Sequence, residues 1–477
     1  MARSTSDPEV AELNAPEIAE DLEDLALSDD YALNPEFVEM VVDAADRGDI
    51  ARLRELIAAL HPADIADLMG FLSSAYREVL APLLDTDTLA DVLSELEGAV
   101  REDVLSQVTP EALAEAIGEM ESDDAADVVD DLGDEVRGQV LAAMSDVDRA
   151  SVEASLAYGE ETAGRLMQRE VVAAPQFWTV GQALDHVRGA GEDLPDLFFD
   201  IYVVDPLYKP LGAAQVSRLI KSRLDQPLSE IMEPVTEIPV DMDQEEVAYI
   251  FDKYHLISAP VVEAGGRLVG QITVDDIVGV IQEESQEDML ALAGVYDAEK
   301  GASIFGVTRS RFWWLLVNLG TAILASSVIG VFQGSIAKLA ALAVLNPIAA
   351  SMGGNAGTQT LTVAVRALAT KELNAANLLA TVWRETAVGL LNGVAFALVM
   401  GLVTLVWFHD PTMAVVAGLA MIINLFAAAV AGILLPLAME KMGFDPAAAT
   451  VVFLTTVTDC VGYFSFLGLA TLLLLRH

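Results

Sequence analysis

The chain has 477 residues, room for two or three domains, and a net charge of −47 that is unevenly spread: residues 1–305 hold 18 basic and 67 acidic side chains, residues 306–477 only eight and six. That acidity excludes nucleic acid and anionic lipid as natural partners of the first part and favours cations, although solubility or salt adaptation explains general acidity equally well. One cysteine, Cys460, excludes a disulfide framework and a thiolate metal site, and five scattered histidines without HExxH spacing argue against zinc chemistry.

The opening MARSTSDPEVAELN is polar and acidic rather than a secretory leader, so the amino-terminal half is expected to stay in the cytoplasm. Residues 1–35 are expected to be a disordered tail with no assigned role. Residues 36–160 read as short helices. A small motif recurs in Ala66-Asp67-Leu68, Ala90-Asp91-Val92 and Ala114-Glu115-Ala116 at 24-residue steps, then in Ala126-Asp127-Val128 after 12. Such a period suits stacked helical hairpins, and Pro62, Pro82 and Pro110 stand where helix starts are expected. Asp123, Asp124 and Asp127 share about one helical turn, a crowding of like charge that destabilises a helix unless something neutralises it.

Residues 161–226 and 227–286 change character. Strand-like runs at 200–204 and 259–262 are each followed by a turn and a second strand that leads into a helix, LGAAQVS and LVGQITVDD. This tandem α/β unit resembles a pair of CBS domains, which implies an all-α domain followed by an α/β pair and an adenine nucleotide as a candidate ligand. Arg218 and Lys221, with Arg223, are the candidate phosphate contacts. A second acidic set follows the repeat, with Asp275 and Asp276 near Glu283, Glu284, Glu287 and Asp288. Mg²⁺ takes oxygen ligands and often needs only one or two carboxylates, so these acids are candidate regulatory ligands. A solvated acidic face is the plain alternative for any one of them.

Beyond Arg311 the charges nearly vanish. The stretches 312–337, 339–365, 386–408 and 411–439 contain no Asp, Glu, Lys or Arg, and 446–475 contains only Asp459. Each exceeds the roughly 20 apolar residues that cross a bilayer as a helix, so five spans are expected. With the amino terminus inside, most of the basic residues face the cytoplasm and the carboxyl terminus lies outside, in agreement with the positive-inside rule. The second span, LNPIAASMGGNAGTQTLTVAVRAL, is polar. Its Pro347, Gly353, Gly354 and Gly357 are expected to break or unwind the helix. Together with Asn355 they allow two readings, pore lining or close packing by small residues. Asn424 reads as glue between helices and Pro436 as a kink. Asp459, in TTVTDCVGYF beside Thr455, is costly within a bilayer unless it faces a polar path.

The order of these parts resembles the MgtE family of magnesium channels and transporters. The motifs that carry the likeness are ETAGRLMQREVVAAP, PIAASMGGNAGTQT and FDPAAATVVFLTTVTDCVGYFSFLGLA. The resemblance implies an acidic helical domain, a tandem CBS pair, a connecting helix over 287–310 and a five-helix membrane domain over 311–477. It implies a homodimer in the cell inner membrane, with a pore on the two-fold axis and Asp459 as the pore's Mg²⁺ ligand, beside Asn355, Gly354 and Thr455. It also implies closure when internal Mg²⁺ bridges the acidic faces. Thr450-Val451-Val452 stand where the family commonly has Ser-Gly-Pro, so carbonyl ligands there are not carried over. Two other readings remain: a CBS-regulated transporter of Mn²⁺, Co²⁺ or Ni²⁺, and a membrane-anchored nucleotide sensor. The absence of His and Met at the candidate pore favours a hard ion, and an anchor has no use for Asp459. Without a P-loop, a dinucleotide fingerprint or a nucleophile–base pair, an enzyme is not expected.

Overall fold

The computed structural model describes residues 22, 25–28, 30–190, 194–195, 197–293, 295, 304–373, 376–444 and 446–474. The chain divides into two compact units between Ile281 and Gln282. The expected tail lies mostly outside the described residues.

The first unit opens with ten helices: α1 (Pro35–Arg47), α2 (Ile50–Ile57), α3 (Pro62–Phe71), α4 (Ser74–Leu80), α5 (Thr86–Glu95), α6 (Gly98–Leu105), α7 (Pro110–Glu119), α8 (Ser122–Asp130), α9 (Asp134–Ala143) and α10 (Asp146–Ser155). Pro62 and Pro110 do open helices, where a missing N–H costs nothing. Pro82 instead lies in a single 3₁₀ turn, Ala81–Leu83. Side-chain caps from Asn34, Asp85, Thr109 and Ser145 hold other amino termini.

The 24-residue period is two helices long. Helix α3 packs on α5, and α5 on α7. In each, the apolar members of the motif are buried (Leu68, Val92 and Ala116) and the acid is exposed. The fourth copy sits on α8, the neighbouring helix of the pair, which is why its spacing halves. Arginines fasten the stack between repeats. Arg77 donates to the Met69 carbonyl and pairs with Asp103 at 2.8 Å, and Arg101 donates to the Leu96 carbonyl and pairs with Asp131 at 3.0 Å. Each occupies carbonyls at a helix end that the helix leaves unpaired.

After the short helix α11 (Ala163–Leu166), two three-stranded sheets follow. In the first, β2 (Asp200–Val204) pairs in parallel with β1 (Ala173–Pro175) and antiparallel with β3 (Pro210–Gln215). The second repeats this order with β4 (Ile238–Pro239), β5 (Ser258–Val262) and β6 (Leu268–Thr273). Even the register shift recurs, at Val203/Val204 and at Val261/Val262. The repeats touch at equivalent residues, since the Ser258 hydroxyl donates to Asp200 at 2.7 Å.

Each repeat also lends a residue to the other's sheet. Glu233 bridges to Ala213 and Gln168 to Gln271. Glycine is required where these segments lie down: a Cβ on Gly212 would stand 2.5 Å from the Glu233 carbonyl, and one on Gly270 2.5 Å from the Gln168 carbonyl. The exchange carries Gln168, which leads out of the helical stack, onto the second sheet. The helix that follows β6, α12 (Val274–Leu292), starts with Asp275 and Asp276 in its first turn. It runs unbroken across residue 286, the expected end of the second repeat.

The second unit contains five long helices: Ile304–Val331, Ala341–Ala369, Leu378–Phe408, Pro411–Lys441 and Pro446–Leu473, called α13 to α17 in chain order. Four of them are long and apolar enough to cross a membrane by length and composition. The remaining one, α14, is the polar span of the sequence analysis. Helix α16 is the central element and packs against α14, α15 and α17. Part of the expected connecting segment, 294 and 296–303, lies outside the described residues.

One expectation is corrected. Helix α14 is continuous over 29 residues, with Pro347 inside it. Its glycines serve close packing: a Cβ on Gly357 would stand 2.9 Å from Leu454, and one on Gly353 would collide with Asn424. Threonine hydroxyls turn back onto the backbone, Thr358 to Gly354 and Thr362 to Thr358, each at 3.0 Å. These two hydroxyls are thus satisfied without unwinding the helix.

Candidate functional site

Two sites stand out, one in each unit: a cluster of acids in the first and the single Asp459 among hydroxyls in the second. In the first unit, the segment 165–170 buckles α8 to the second sheet. Arg165 is 9% exposed and reaches Asp127 at 3.0 Å, Asp130 at 3.1 Å and the Ala126 carbonyl at 3.3 Å. The Ser122 hydroxyl donates to Glu170 at 2.9 Å and accepts the Arg169 N–H at 2.8 Å. Gln168 donates to Glu121, and Gln271 donates to the Glu170 carbonyl at 3.0 Å.

These contacts bring Glu121, Asp123 and Asp124 toward Asp275 and Asp276. Among the described residues Arg101 favours the charged form of Asp124, and no basic side chain offsets the charge of Glu121, Asp123 or Asp276. Asp123 is 6% exposed, and its Oδ1 meets no donor among the described residues. Burial first, and then the charges of Asp276, Asp124 and Glu121, push the Asp123 carboxyl well above the usual range. Burial, followed by the charges of Asp276, Asp124, Asp275 and Glu170, raises Glu121 to about 7. Burial and Asp127 raise Asp124 to about 6, against the lowering effect of Arg101. Asp276 rises to about 7, chiefly by burial, although the Thr273 hydroxyl donates to it at 2.8 Å. Each of these carboxylates is ionised at a cost that a bound cation would relieve. Among the described residues no three acidic, His or Cys side chains form a ready chelate. Mg²⁺ keeps several waters and often takes only one or two carboxylates, so the donor set suits it without a closed cage.

The sequence-predicted set divides in the structure. Asp123, Asp124, Asp275 and Asp276 are brought together. Asp127 faces the other way, toward Arg165. Glu283, Glu284 and Glu287 lie on α12 beyond Ile281, in the second unit. Glu121 and Glu170 belong to the first cluster and were missed, although MESDDAAD and LMQREVV contained them. Arg218 pairs with Glu233 at 2.5 Å and donates to the Ile231 carbonyl at 2.9 Å, and Lys221 is exposed at the end of the same short helix.

In the second unit, α14 and α17 meet where the predicted pore residues lie. A Cβ on Gly354 would stand 3.9 Å from the Thr458 hydroxyl. Asn355 and Asp459 are the next residues. Thr455, Thr456 and Thr458 donate to carbonyls of their own helix at 3.0, 2.7 and 3.1 Å, which leaves their oxygens able to accept. Asp459 is half-buried. Along α14, Ser351, Asn355, Thr358, Gln359 and Thr362 recur at helical spacing and are all exposed in the single chain, while Gly353, Gly357 and Thr360 are buried. The helix therefore has a packed face of small residues and a polar face that no element among the described residues covers.

Comparison with known proteins agrees with this arrangement. Residues 346–469 match the family model described as a divalent cation transporter, residues 60–161 the MgtE intracellular N domain, and residues 228–283 a CBS domain. The chain is 34% identical over 332 residues to the magnesium transporter MgtE of Thermus thermophilus, covering 68% of this chain and 73% of that one. It is 33% identical to the magnesium transporter MgtE of Enterococcus faecalis, covering 67% and 71%. Among solved structures it is similar to the cytosolic domain of the Mg²⁺ channel MgtE in complex with ATP, at 34% identity and a TM-score of 0.48, covering 51% of this chain and 99% of that one. With its acidic helical stack, CBS repeat and apolar helix bundle, the chain belongs to the MgtE family and is a multi-pass membrane protein.

Proposed function

We propose that the chain conducts Mg²⁺ across the cell inner membrane as a homodimer, with its acidic half in the cytoplasm and its carboxyl terminus outside. The observation that carries this reading is the exposed polar face of α14 beside Asp459. Amides and hydroxyls facing hydrocarbon are costly. A second copy of the same face, with water and ions between the two, satisfies them. Hydrated Mg²⁺ then passes between two Asp459 carboxylates, with Thr455, Gly354 and Asn355 as further oxygen donors. Names of the similar proteins, magnesium transporters, support the choice of ion.

Regulation follows from the first cluster. Internal Mg²⁺ at Glu121, Asp123, Asp124, Asp275 and Asp276 lowers the repulsion between α8 and the start of α12, and Glu283, Glu284 and Glu287 extend the acidic face along that helix. Occupancy favours the closed state, and loss of the ion lets like charges separate the elements and open the path. An adenine nucleotide at the CBS pair belongs to this reading on the resemblance alone. Lys221, and Arg218 on release from Glu233, are its candidate phosphate contacts.

Mg²⁺ uptake into proteoliposomes by the wild type and Asp459→Asn tests the conduction step. Loss of uptake in the variant is expected, and unchanged uptake refutes it. Replacing Mg²⁺ by Mn²⁺, Co²⁺ or Ni²⁺ in the same assay separates the ions.

A further inference from the structure

The membrane half contains an amide that the conduction reading does not use. Asn424, in the middle of α16, is fully buried, and its Nδ2 donates to the Ala349 carbonyl of α14 at 2.7 Å. Both neighbouring helices are reduced to backbone where it lies. A Cβ on Gly353 of α14 would stand 2.1 Å from Nδ2. A Cβ on Gly462 of α17 would stand 2.9 Å from Nδ2 and 3.0 Å from the Ala350 Cα. Helices α14 and α17 thus meet almost backbone to backbone around one side chain of α16. Gly354, the residue after Gly353, faces Thr458, the residue before Asp459. The crossing that Asn424 keys is the crossing that brings the two candidate ion-path segments together.

An amide is a poor choice here if stability is all it supplies. Its Oδ1 is buried and meets no donor among the described residues, and an unpaired buried acceptor is destabilising. Hydrogen bonds between membrane helices are individually modest. What the amide adds over an apolar side chain of similar volume is direction, because its donor is fixed to one carbonyl in a slot two glycines wide. We infer that Asn424 is a positioning residue for cation selection: by fixing α14 against α17 it sets the spacing between Gly354–Asn355 and Asp459. The inference rests on the conduction reading above.

A reciprocal size exchange in the full chain tests it. Mg²⁺ and Mn²⁺ uptake into proteoliposomes is measured for N424A, G353A, the double variant G353A/N424A and N424S, with D459N as reference. G353A alone is expected to lose about tenfold or more of its Mg²⁺ uptake, because its methyl collides with the amide. In the double variant the methyl fills vacated space, so folding and rate recover. The Mg²⁺:Mn²⁺ ratio is expected to stay about fivefold or more below wild type, with a raised half-saturating Mg²⁺. N424S, which retains a donor, is expected to keep more of the ratio than N424A or, if N424A does not fold, than the double variant. A double variant that regains rate, half-saturation and ratio together overturns the inference in favour of packing alone. Equal ratios in N424S and the double variant also overturn it. Normal uptake by D459N removes the conduction reading itself, a result separate from any of these. A normal ratio in the double variant beside an inactive D459N removes only the role of Asn424.

Discussion

Asp123 and Asp459 both sit in helices, the first buried and the second half-buried, and their surroundings differ. Asp123 is crowded by Glu121, Asp124 and Asp276, and the fold itself forces these acids together through the Gln168 and Glu170 contacts. Asp459 is the only acid within its helix and has threonines around it. Crowded like charges gain steeply from one divalent ion and lose that gain when it leaves, which suits a sensor. A single carboxylate holds an ion weakly enough to release it, which suits a passage.

The largest effect that can break this contrast is in the membrane. Asp459→Asn is expected to lower Mg²⁺ uptake on the order of 10–100-fold, from the loss of charge-assisted contacts of about 1.5–3 kcal/mol. Melting of the first unit, followed by circular dichroism in detergent, is expected to be unchanged. A parallel loss of its stability would mean that the acid cluster and Asp459 are not separate devices.

The converse change is Asp123→Asn. In chelator it is expected to stabilise the first unit by about 1–3 kcal/mol, since an unpaired buried charge is removed. It is also expected to reduce the further gain on adding Mg²⁺. A variant less stable than wild type in chelator would show that the Asp123 charge is compensated and the cluster needs no cation.

The same cluster sets a pH dependence. Glu121, Asp124 and Asp276 have carboxyls raised in the folded state to about 7, 6 and 7. A raised carboxyl binds its proton more tightly folded than unfolded. Its contribution to stability is full below the unfolded value near 4 and is lost as pH rises through 6 to 7. Without divalent ions, melting temperature is therefore expected to fall between about pH 4 and pH 7 from these groups. Mg²⁺ is expected to flatten the fall. A melting temperature that rises over this window in both conditions would contradict the crowding.

Much of this was legible in the residues, for reasons that differ by region. The 24-residue motif fixed the helical stack, because each copy buries the same face against the next. The apolar runs marked the bundle, because a hydrocarbon solvent tolerates few charges. The tandem sheets were legible as a repeat of strand, turn and strand. Helix continuity in α14 was not, because the partners of its glycines, Asn424 and Leu454, come from helices tens of residues away. Nor was Glu121 as part of the cluster, since the exchange that lays Gln168 on Gly270 is a long-range event with no local signal. Asp127 shared a turn with Asp123 and Asp124 but points to an arginine 38 residues on.

That last residue gives the smallest and sharpest test. Arg165 holds Asp127 and Asp130, whose side chains are 59% and 35% exposed, so solvent screens much of the attraction. Arg165→Ala is expected to destabilise the first unit by only about 1 kcal/mol. Arg165→Lys is expected to recover part of that, since an ammonium lacks the fork that reaches two carboxylates and a carbonyl. The informative quantity is the dependence on Mg²⁺, read from melting curves with and without the ion. If Arg165 is a permanent buckle beside the cation cluster, the loss is the same in both conditions. If Asp127 is instead a cation ligand in competition with Arg165, the alanine variant binds Mg²⁺ more tightly and the ion restores its stability. The second result would move the boundary of the cluster by one helical turn, from Asp123 and Asp124 to include Asp127.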